Sequence, residues 1–448
     1  MIDTLSELHI HLYGCLSAED VWCLGKDCWQ QKTNELSWYE DEYEKAWGRR
    51  PDSKQYWQDS TAGFEKLRKD FIFDQKAPFN CFQACFNLMI ALFKITPDKN
   101  DIFKVVMHRH RDLGLRYVEY RTVMPAWFNK KQLDQYFTMQ TRDVALMNQQ
   151  SGNQFEAKIA YSLQRDNITA VNQYKLLREW INTNPELGKN ICAIDFSYFE
   201  EGFPPSEKKD LFNQVRADNL ANPEHPLAIL YHVGESFQAL SIESAARWVW
   251  QAFDAGAHRL GHAIALGVSP QIRAQKTSTD IQIQEPIKER IAHLSWLLEK
   301  EVFLKQHDFE FDRKQIQKEL NELKQQNQSK SLSCNFLNHI EIERCKKFQD
   351  ALMKDLSLKG AIIESCPSSN FRIGMIDNPD HHPLKRFIQQ KIDVCISTDD
   401  PGIFAIDLEG ELDLCISQLG LSKKDILCIL EKTPNYYSTV LAHTFQRL

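Results

Sequence analysis

Short runs of aliphatic and β-branched residues recur between long helical stretches, and this alternation restricts the fold of the chain more than any other feature. Eight such runs occur, at Leu5–Leu12, Leu115–Thr122, Ala157–Leu163, Asn190–Phe196, Leu227–Val233, His258–Gly261, Ala361–Cys366 and Asp393–Ser397. Repeated strand–helix units build a parallel sheet, and eight of them close naturally into a barrel. We therefore predict an α/β protein with a TIM-type (β/α)8 barrel, whose chemistry lies at the carboxyl ends of the strands.

Residues 17–95 exceed what a minimal barrel needs between its first two strands. This segment is rich in aromatic residues and helical in pattern, so we predict a helical cap. Phe79, Phe82, Phe86 and Met89 are spaced as one apolar helix face. Such a face can help to cap a pocket, although core packing explains the same spacing.

A second excess segment, residues 271–358, is strongly charged. Within it, residues 314–324 are rich in helix formers, which predicts a helical insertion late in the barrel. The sequence has neither a Gly/Ser-rich nor a Pro-rich linker, so we predict one domain over residues 1–448 that contains both excess segments.

Charge and cysteine usage narrow the class of partner. A net charge of −7 argues against a surface that binds nucleic acid, and no stretch has the roughly 18 apolar residues of a membrane span. The N-terminus lacks a signal-peptide pattern, and the twelve cysteines include no C-x-x-C pair. We expect a cytoplasmic enzyme with a small-molecule substrate and leave its oligomeric state open.

The first strand carries an H-x-H pair, His9 and His11. Side chains alternate along a strand, so both imidazoles point to the same face, which in a barrel is the face of the site. Two core histidines with local hydrogen-bond partners are the alternative. His108 and His110 have the same spacing but lie in a helical stretch, so we predict that this second pair is exposed to solvent.

Three later strand ends also carry polar residues. The fifth run ends at His232, and Glu235 follows three residues later. His262 follows the sixth run, and Asp399 and Asp400 follow the eighth. Each motif has a structural alternative: a glutamate in the first turn of a helix, a core histidine at a tight turn, or an Asx turn or helix cap before a proline.

The order of these motifs is more informative than any one of them, because a barrel brings all its strand ends together. Three histidines and one carboxylate suit Zn²⁺, which binds nitrogen and oxygen ligands and lowers the pKa of a water toward neutrality. A cysteine-ligated site is not expected, because the sequence lacks a P-C-x-x-C motif.

Together these motifs resemble the adenosine deaminase family of metal-dependent amidohydrolases. The resemblance runs through E-L-H-I-H-L, G-L-R-Y-V-E-Y-R, H-V-G-E, R-L-G-H, C-P-S-S-N, H-P-L and S-T-D-D-P, in that order along the chain. It covers nearly the whole sequence apart from residues 271–358.

The resemblance implies a hydrolytic deaminase with one Zn²⁺ per chain. Its ligands would be His9, His11, His232 and Asp399. Glu235 would be the general acid that protonates the purine ring, and His262 would orient the attacking water and help to deprotonate it. Asp400 would hold the imidazole side of the purine, and Arg259 would be a structural charge partner.

Two departures from the family concern substrate recognition. Tyr13 replaces an aspartate that meets the ribose 5′ hydroxyl in adenosine-specific members. Ser197 and Tyr198 occupy the loop in which those members have a glycine that contacts the purine. We expect Tyr13, Ser197, Tyr198, Gly234 and Asp400 to bind the substrate.

Adenosine and deoxyadenosine are the first candidates for this substrate. Adenine, AMP and an N6- or 5′-modified adenosine are the alternatives. Outside deaminases, the same barrel could hydrolyse an amide, ester or phosphoester, or could be a catalytically silent binding protein.

Overall fold

The computed structural model describes residues 5–26, 28–29, 33–58, 61–95, 100–237, 239–273, 284–333, 337–374 and 376–444. The strands in these ranges are β1 (Ser6–His11), β2 (Tyr117–Val123), β3 (Glu156–Ser162), β4 (Ile191–Asp195), β5 (Ala228–Val233), β6 (Arg259–His262), β7 (Gln284–Pro286), β8 (Ser331–Ser333), β9 (Ile362–Ser365) and β10 (Asp393–Ile396).

Eight of these strands, all but β7 and β8, form one parallel sheet in chain order. A parallel bridge between Ile10 and Asp399 joins the last strand to the first. Across it, the His11 N–H donates to the Asp399 carbonyl oxygen at 2.8 Å. The sheet is therefore a closed barrel. This confirms the predicted fold class and all eight predicted runs.

The α-helices surround and cover this barrel. They are α1 (Ala18–Lys26), α2 (Thr33–Trp47), α3 (Ala62–Phe71), α4 (Phe79–Ile95), α5 (Asn100–Asp112), α6 (Lys130–Ser151), α7 (Asn167–Thr183), α8 (Pro185–Gly188), α9 (Lys209–Ala221), α10 (Ile242–Ala255), α11 (Ile264–Gly267), α12 (Ile287–Glu299), α13 (Glu301–Gln306), α14 (Arg313–Lys324), α15 (His339–Leu358), α16 (Pro367–Arg372), α17 (Leu384–Gln389), α18 (Pro401–Phe404), α19 (Leu408–Ser417), α20 (Lys423–Lys432) and α21 (Ser438–Leu441). Within the described ranges, no helix is long and apolar enough to cross a membrane.

The barrel strands are buried on both faces because side chains alternate between the barrel interior and the helical shell. Every residue of β4, β5 and β6 is buried. Double burial explains why these strands appear in the sequence as nearly continuous apolar runs. The polar side chains within these strands need hydrogen-bond or ion-pair partners, because an unpaired polar group is costly to bury.

The segment between β1 and β2 is helical, as predicted. Its helix α4 lies over the carboxyl ends of the strands, where the Phe82 ring stacks on Phe404 with 5.6 Å between centroids. Phe404 belongs to α18, which follows β10. The cap is thus packed against the loop that follows the last strand.

The charged segment between β6 and β9 is also mainly helical, and α14 lies where the helix formers predict it. The sequence analysis missed β7 and β8, which pair antiparallel over three residues each. Runs this short carry little periodicity. The last helix of this segment, α15, packs against α10 and leads directly into β9, so it is one of the helices that surround the barrel.

The prediction that the second histidine pair is solvent-exposed is half wrong. His108 is exposed, but His110 is buried in α5 and its Nδ1 lies 2.7 Å from the Tyr120 hydroxyl. The two rings stack. Burial lowers the pKa of His110 to about 3. The error arose because residues two apart on a helix diverge, so one of them can still face inward.

Candidate metal centre and active site

Four side chains from three strand regions converge at the carboxyl end of the barrel. His11 Nε2 lies 3.2 Å from His232 Nε2 and 3.3 Å from Asp399 Oδ1. His9 Nε2 lies 3.6 Å from the same Asp399 oxygen. These are the four predicted zinc ligands, and the structure brings them together.

The donor set fits a metal ion. One nitrogen from each of His9, His232 and His262 lies within 4.8 Å of the other two. The donor atoms of His9, His11 and Asp399 form a second group with the same spacing. Among the described residues, His9 Nε2 is buried without a hydrogen-bond partner. A buried, unpartnered imidazole nitrogen that faces a carboxylate and other imidazoles is explained by a cation. Nitrogen and oxygen donors of this kind suit Zn²⁺.

A layer of buried charges behind the ligands fixes their orientation. His9 Nδ1 lies 2.8 Å from Glu364 Oε2, and His232 Nδ1 lies 3.0 Å from Asp195 Oδ1. Each carboxylate holds an imidazole so that its other nitrogen points to the centre. The sequence analysis did not identify Glu364 or Asp195 as partners. Their signal was a carboxylate inside an otherwise apolar strand.

The Arg121 guanidinium joins these two carboxylates. Its Nη1 lies 3.2 Å from Asp195 Oδ1, and its Nη2 contacts Glu364. Burial acts to raise the pKa of Asp195, but His232 and Arg121 outweigh it and hold that pKa well below its usual range. Burial lowers the pKa of His232 to about 3. The His232 imidazole is therefore neutral, as a metal ligand must be, and the Asp195 carboxylate beside it is ionised.

Arg259 has the contacts of the structural charge partner that the resemblance implies. Its guanidinium donates to Glu119 at 2.6 Å and to Glu364 at 2.7 Å, and all three side chains are fully buried. A buried guanidinium needs such partners, because an unpaired buried charge is strongly unfavourable.

Glu235 and His262 face the same centre. His262 Nε2 lies 3.5 Å from Glu235 Oε1, and the Ser369 hydroxyl donates to Glu235 at 3.3 Å. Burial, followed by the nearby Asp399 charge, raises the pKa of Glu235 well above its usual range. A protonated carboxyl group at this position can donate a proton.

Asp400 follows the metal-facing Asp399 in the chain and lines the same cleft. Its Oδ1 is buried without a hydrogen-bond partner among the described residues. A side chain at Gly14 would place its Cβ 1.6 Å from that oxygen, so glycine is required there. The Oδ1 atom of Asp400 is thus an unpartnered polar atom in a tight space, as an atom of a ligand-binding group would be.

Two strand-end residues adopt left-handed backbone conformations. The φ angles are 60° at His262 and 64° at Asp399. Non-glycine residues pay for this conformation, and such residues concentrate at functional sites. Here the turn of the backbone directs both side chains into the centre.

A cleft extends from this centre to the surface beneath α4. It is lined by His11, Tyr13, Phe79, Phe82, Gln83, Phe86, Met89, Ile90, Phe93, Val123, Pro125, Trp127, Tyr136, Ser197, Tyr198, His232, Glu235, His262, Ile373, Asp399 and Asp400. The predicted stripe on α4 therefore lines the pocket as well as packing in the core. The sequence analysis missed the second wall of the cleft, which includes Val123, Pro125, Trp127 and Tyr136, because it follows β2 without a polar motif.

Four of the five predicted substrate-binding residues, namely Tyr13, Ser197, Tyr198 and Asp400, line the cleft. Gly234 is not among the lining residues. Its N–H donates to the Glu200 carboxylate at 2.5 Å, so this N–H is already occupied. Glu200, which the sequence analysis did not select, also accepts from the N–H groups of Glu235 and Ser236.

Sequence comparison finds a family model and relatives that each match a part of the chain. Residues 339–432 match the adenosine deaminase family model. A 64-residue stretch is 44% identical to an adenosine deaminase of Vibrio cholerae, and covers 14% of this chain and 19% of that enzyme. A 75-residue stretch is 41% identical to an adenosine deaminase of Pseudoalteromonas translucida, covering 17% and 22%. The matches thus span about a fifth of these relatives.

Structural comparison extends over the whole barrel. An adenine deaminase from Arthrobacter aurescens matches with a TM-score of 0.55 and 15% identity, covering 98% of this chain and 96% of that chain. The N6-methyl-AMP deaminase of Arabidopsis thaliana matches with a TM-score of 0.51 and 15% identity, covering 98% and 93%. At such low identity these similarities establish the fold.

Proposed function

We propose that this chain is a member of the adenosine deaminase family and catalyses the hydrolytic deamination of an aminopurine with one bound Zn²⁺. One observation carries the proposal. The donor atoms of His9, His11 and Asp399 form one group and those of Glu235, His262 and Asp399 form another, so candidate ligands and candidate proton-transfer groups share one carboxylate. A metal-assisted hydrolysis needs these two sets side by side.

His9, His11, His232 and Asp399 would hold the ion. When bound, it supplies Lewis acidity and lowers the pKa of a water toward neutrality. Asp195 and Glu364 would keep the ligand imidazoles in the required tautomers, since each carboxylate lies where it can accept from an Nδ1–H.

Glu235 would donate its proton to the purine ring nitrogen next to the attacked carbon. Its raised pKa keeps it protonated near neutral pH, and protonation of the ring makes the carbon more electrophilic. Addition of water to that carbon forms the C–O bond, and the C–N bond then breaks as a proton from the water passes to the amine, which leaves as ammonia.

His262 would orient the attacking water. Its Nδ1 lies 3.1 Å from Asn370 Nδ2, and with the amide as donor the ring proton resides on Nε2, which faces Glu235. This arrangement supports orientation of the water more directly than its deprotonation. Burial, followed by the nearby Asp399 charge, raises the pKa of Asp400 well above its usual range, so a protonated Asp400 would donate a hydrogen bond to the unsubstituted nitrogen on the imidazole side of the purine.

The substrate assignment follows from the relatives and the cleft together. The curated relatives are adenosine deaminases, so adenosine and deoxyadenosine remain the first candidates. Adenine, AMP and N6- or 5′-modified adenosines are the alternatives, and the structural neighbours include an adenine deaminase and an N6-methyl-AMP deaminase.

The test is release of ammonia, or of methylamine from N6-methylated substrates, by zinc-loaded protein. The panel contains adenosine, deoxyadenosine, adenine, AMP and their N6-methyl analogues. Glu235→Gln should abolish release, whereas Glu224→Gln, at an exposed position, should leave it intact. Zinc-loaded protein that is inactive on the whole panel would favour another amidohydrolase reaction or a silent binding barrel.

A further inference from the structure

One face of α4 leaves apolar side chains half-exposed toward the cleft. Phe86, Ile90 and Phe93 recur at intervals of four and three residues, and all three are half-buried in the protein. Phe82 and Met89 are buried beneath them. An apolar strip of this kind, enclosed in a cleft, is typical of a surface that a ligand covers.

The mouth of the cleft continues this apolar character. Trp127, which follows β2, is 62% exposed, and Phe199, which follows β4, is 46% exposed. The Phe199 ring lies 4.6 Å from that of Phe79. The aromatic surface therefore extends from α4 to the loops on both sides.

The two tyrosine hydroxyls on this side of the cleft are already paired within the protein. The Tyr13 hydroxyl lies 3.3 Å from the Tyr136 hydroxyl, which lies 2.7 Å from Thr122 Oγ1. Tyr13 also packs edge-on against Phe93, with 5.0 Å between ring centroids. A carboxylate at position 13 could bind a sugar hydroxyl. Tyr13 instead presents an aromatic ring, and its hydroxyl already has a partner in the protein.

The cleft also lacks the charge that a phosphate needs. Among the described lining residues, none is Lys or Arg. Arg165, below the loop after β4, donates to the carbonyl oxygens of Phe196, Ser197 and His232.

At the rim, Lys94 Nζ lies 3.2 Å from Glu35 and 4.5 Å from the centre of the Trp38 ring, so its charge is also compensated. Among the described residues that line the cleft, a phosphate would therefore meet no Lys or Arg side chain that could offset its desolvation.

We propose that the substrate is an aminopurine nucleoside whose 5′ position carries an uncharged apolar group, and that a 5′-phosphate is excluded. The inference rests on the proposed function for the orientation of the purine. The 5′ hydroxyl would be replaced or capped by an alkyl, alkylthio or aryl group. Tyr13, Phe86, Ile90, Phe93 and Trp127 would determine this specificity.

Steady-state kinetics with four substrates test the proposal: adenosine, 5′-deoxy-5′-(alkylthio)adenosine, 5′-O-benzyladenosine and AMP. We expect kcat/KM for the two apolar derivatives to exceed that for adenosine by about 10-fold or more, and AMP to fall about 100-fold or more below adenosine. Equal or higher kcat/KM for AMP would overturn the proposal. If kcat/KM does not depend on the 5′ group, the specificity proposal is also overturned, whereas the proposed deaminase function stands.

A charge placed on the strip provides a second test. Ile90→Lys should lower kcat/KM for the apolar derivatives at least about 10-fold and narrow the gap to AMP. Ile340→Lys is the matched control, because Ile340 is 79% exposed on α15 and should change neither value. An Ile90→Lys enzyme that retains the wild-type order of substrates would contradict the assignment of this strip.

Binding separates this inference from the catalytic proposal. Hypoxanthine nucleosides already carry oxygen where an aminopurine carries its amine and cannot be deaminated, so calorimetric titration of zinc-loaded protein with their 5′-hydroxyl, 5′-alkylthio and 5′-phosphate forms measures binding to the cleft alone. We expect the alkylthio form to bind at least about 10-fold more tightly than the hydroxyl form. If this order holds without turnover on any amine, the deaminase proposal fails and the cleft assignment stands. If the phosphate form binds best, the cleft assignment fails.

Discussion

The Glu200 carboxylate accepts a hydrogen bond from the main-chain N–H of Glu235 at 2.9 Å. The same carboxylate accepts from Gly234 and Ser236 on either side. One buried acid after β4 therefore holds the three-residue turn that carries the proposed general acid after β5. We infer that Glu200 is a positioning residue, because it acts on Glu235 through the backbone.

Glu200→Gln should lower kcat about 10-fold with a smaller change in KM, because the amide cannot accept all three N–H groups and the turn will shift. The pH profile of kcat should also move, since it reports the environment of Glu235. Glu201→Gln is the matched control, because among the described residues Glu201 accepts only from the Ala239 N–H. A loss of stability without a change in the pH profile would count against the positioning role.

The metal centre predicts one Zn²⁺ per chain and thermal stabilisation by it. Chelation should remove the ion and lower Tm, and His11→Ala should lose the ion at concentrations at which the wild type retains it. Metal content by elemental analysis and Tm by calorimetry check this. His108→Ala, at an exposed histidine, is the control. A His11→Ala protein with full metal content would show that these residues do not form the site.

Asp195 offers a test of the layer behind the ligands. Asp195→Asn should weaken zinc binding about 10- to 100-fold, because it removes the charged acceptor of the His232 Nδ1–H. The Ser162 hydroxyl and Arg121 would also lose their charged partner. Competition with a chromophoric chelator measures the affinity. Unchanged affinity would mean that the backbone alone orients His232.

The features that could be predicted from the sequence are those that local residue patterns determine, namely the strands and the strand-end motifs. The eight runs predict the barrel because a doubly buried strand is a continuous apolar run, and the H-x-H pair predicts the position of the site because alternation along β1 is a local property. Motif order, combined with strand-end convergence, located His232, His262, Asp399 and Asp400 near His9 without any distance information.

The remaining features depend on long-range packing. Arg121 joins Asp195 and Glu364, which lie far from it in the chain, and Glu200 reaches the turn of a different βα unit. The residue type at one position does not indicate which distant residue it will contact. The aromatic wall at Trp127 likewise has no sequence motif. The role of an exposed aromatic residue in a loop depends on which residues lie opposite it in the folded protein.

Glu411 in α19 predicts a pH dependence of stability. It is buried, and its carboxyl group accepts from the Ser368 N–H at 3.1 Å and from the Ser368 hydroxyl. Burial is the largest cause that raises its pKa from 4.5 to about 8. Between these two values the folded protein keeps a proton that the unfolded chain releases, so rising pH destabilises the fold.

Glu411→Gln should remove this contribution, because the amide stays neutral at every pH. We expect the Tm of the wild type, relative to that of the variant, to fall as pH rises from about 5 to about 8.5, with at most ~5 kcal/mol at stake. Measurement of Tm for both proteins at each pH cancels the titration of other groups. Glu409→Gln, at an exposed site on the same helix, should run parallel to the wild type. Parallel curves for wild type and Glu411→Gln would mean that Glu411 is ionised in the folded protein across this range.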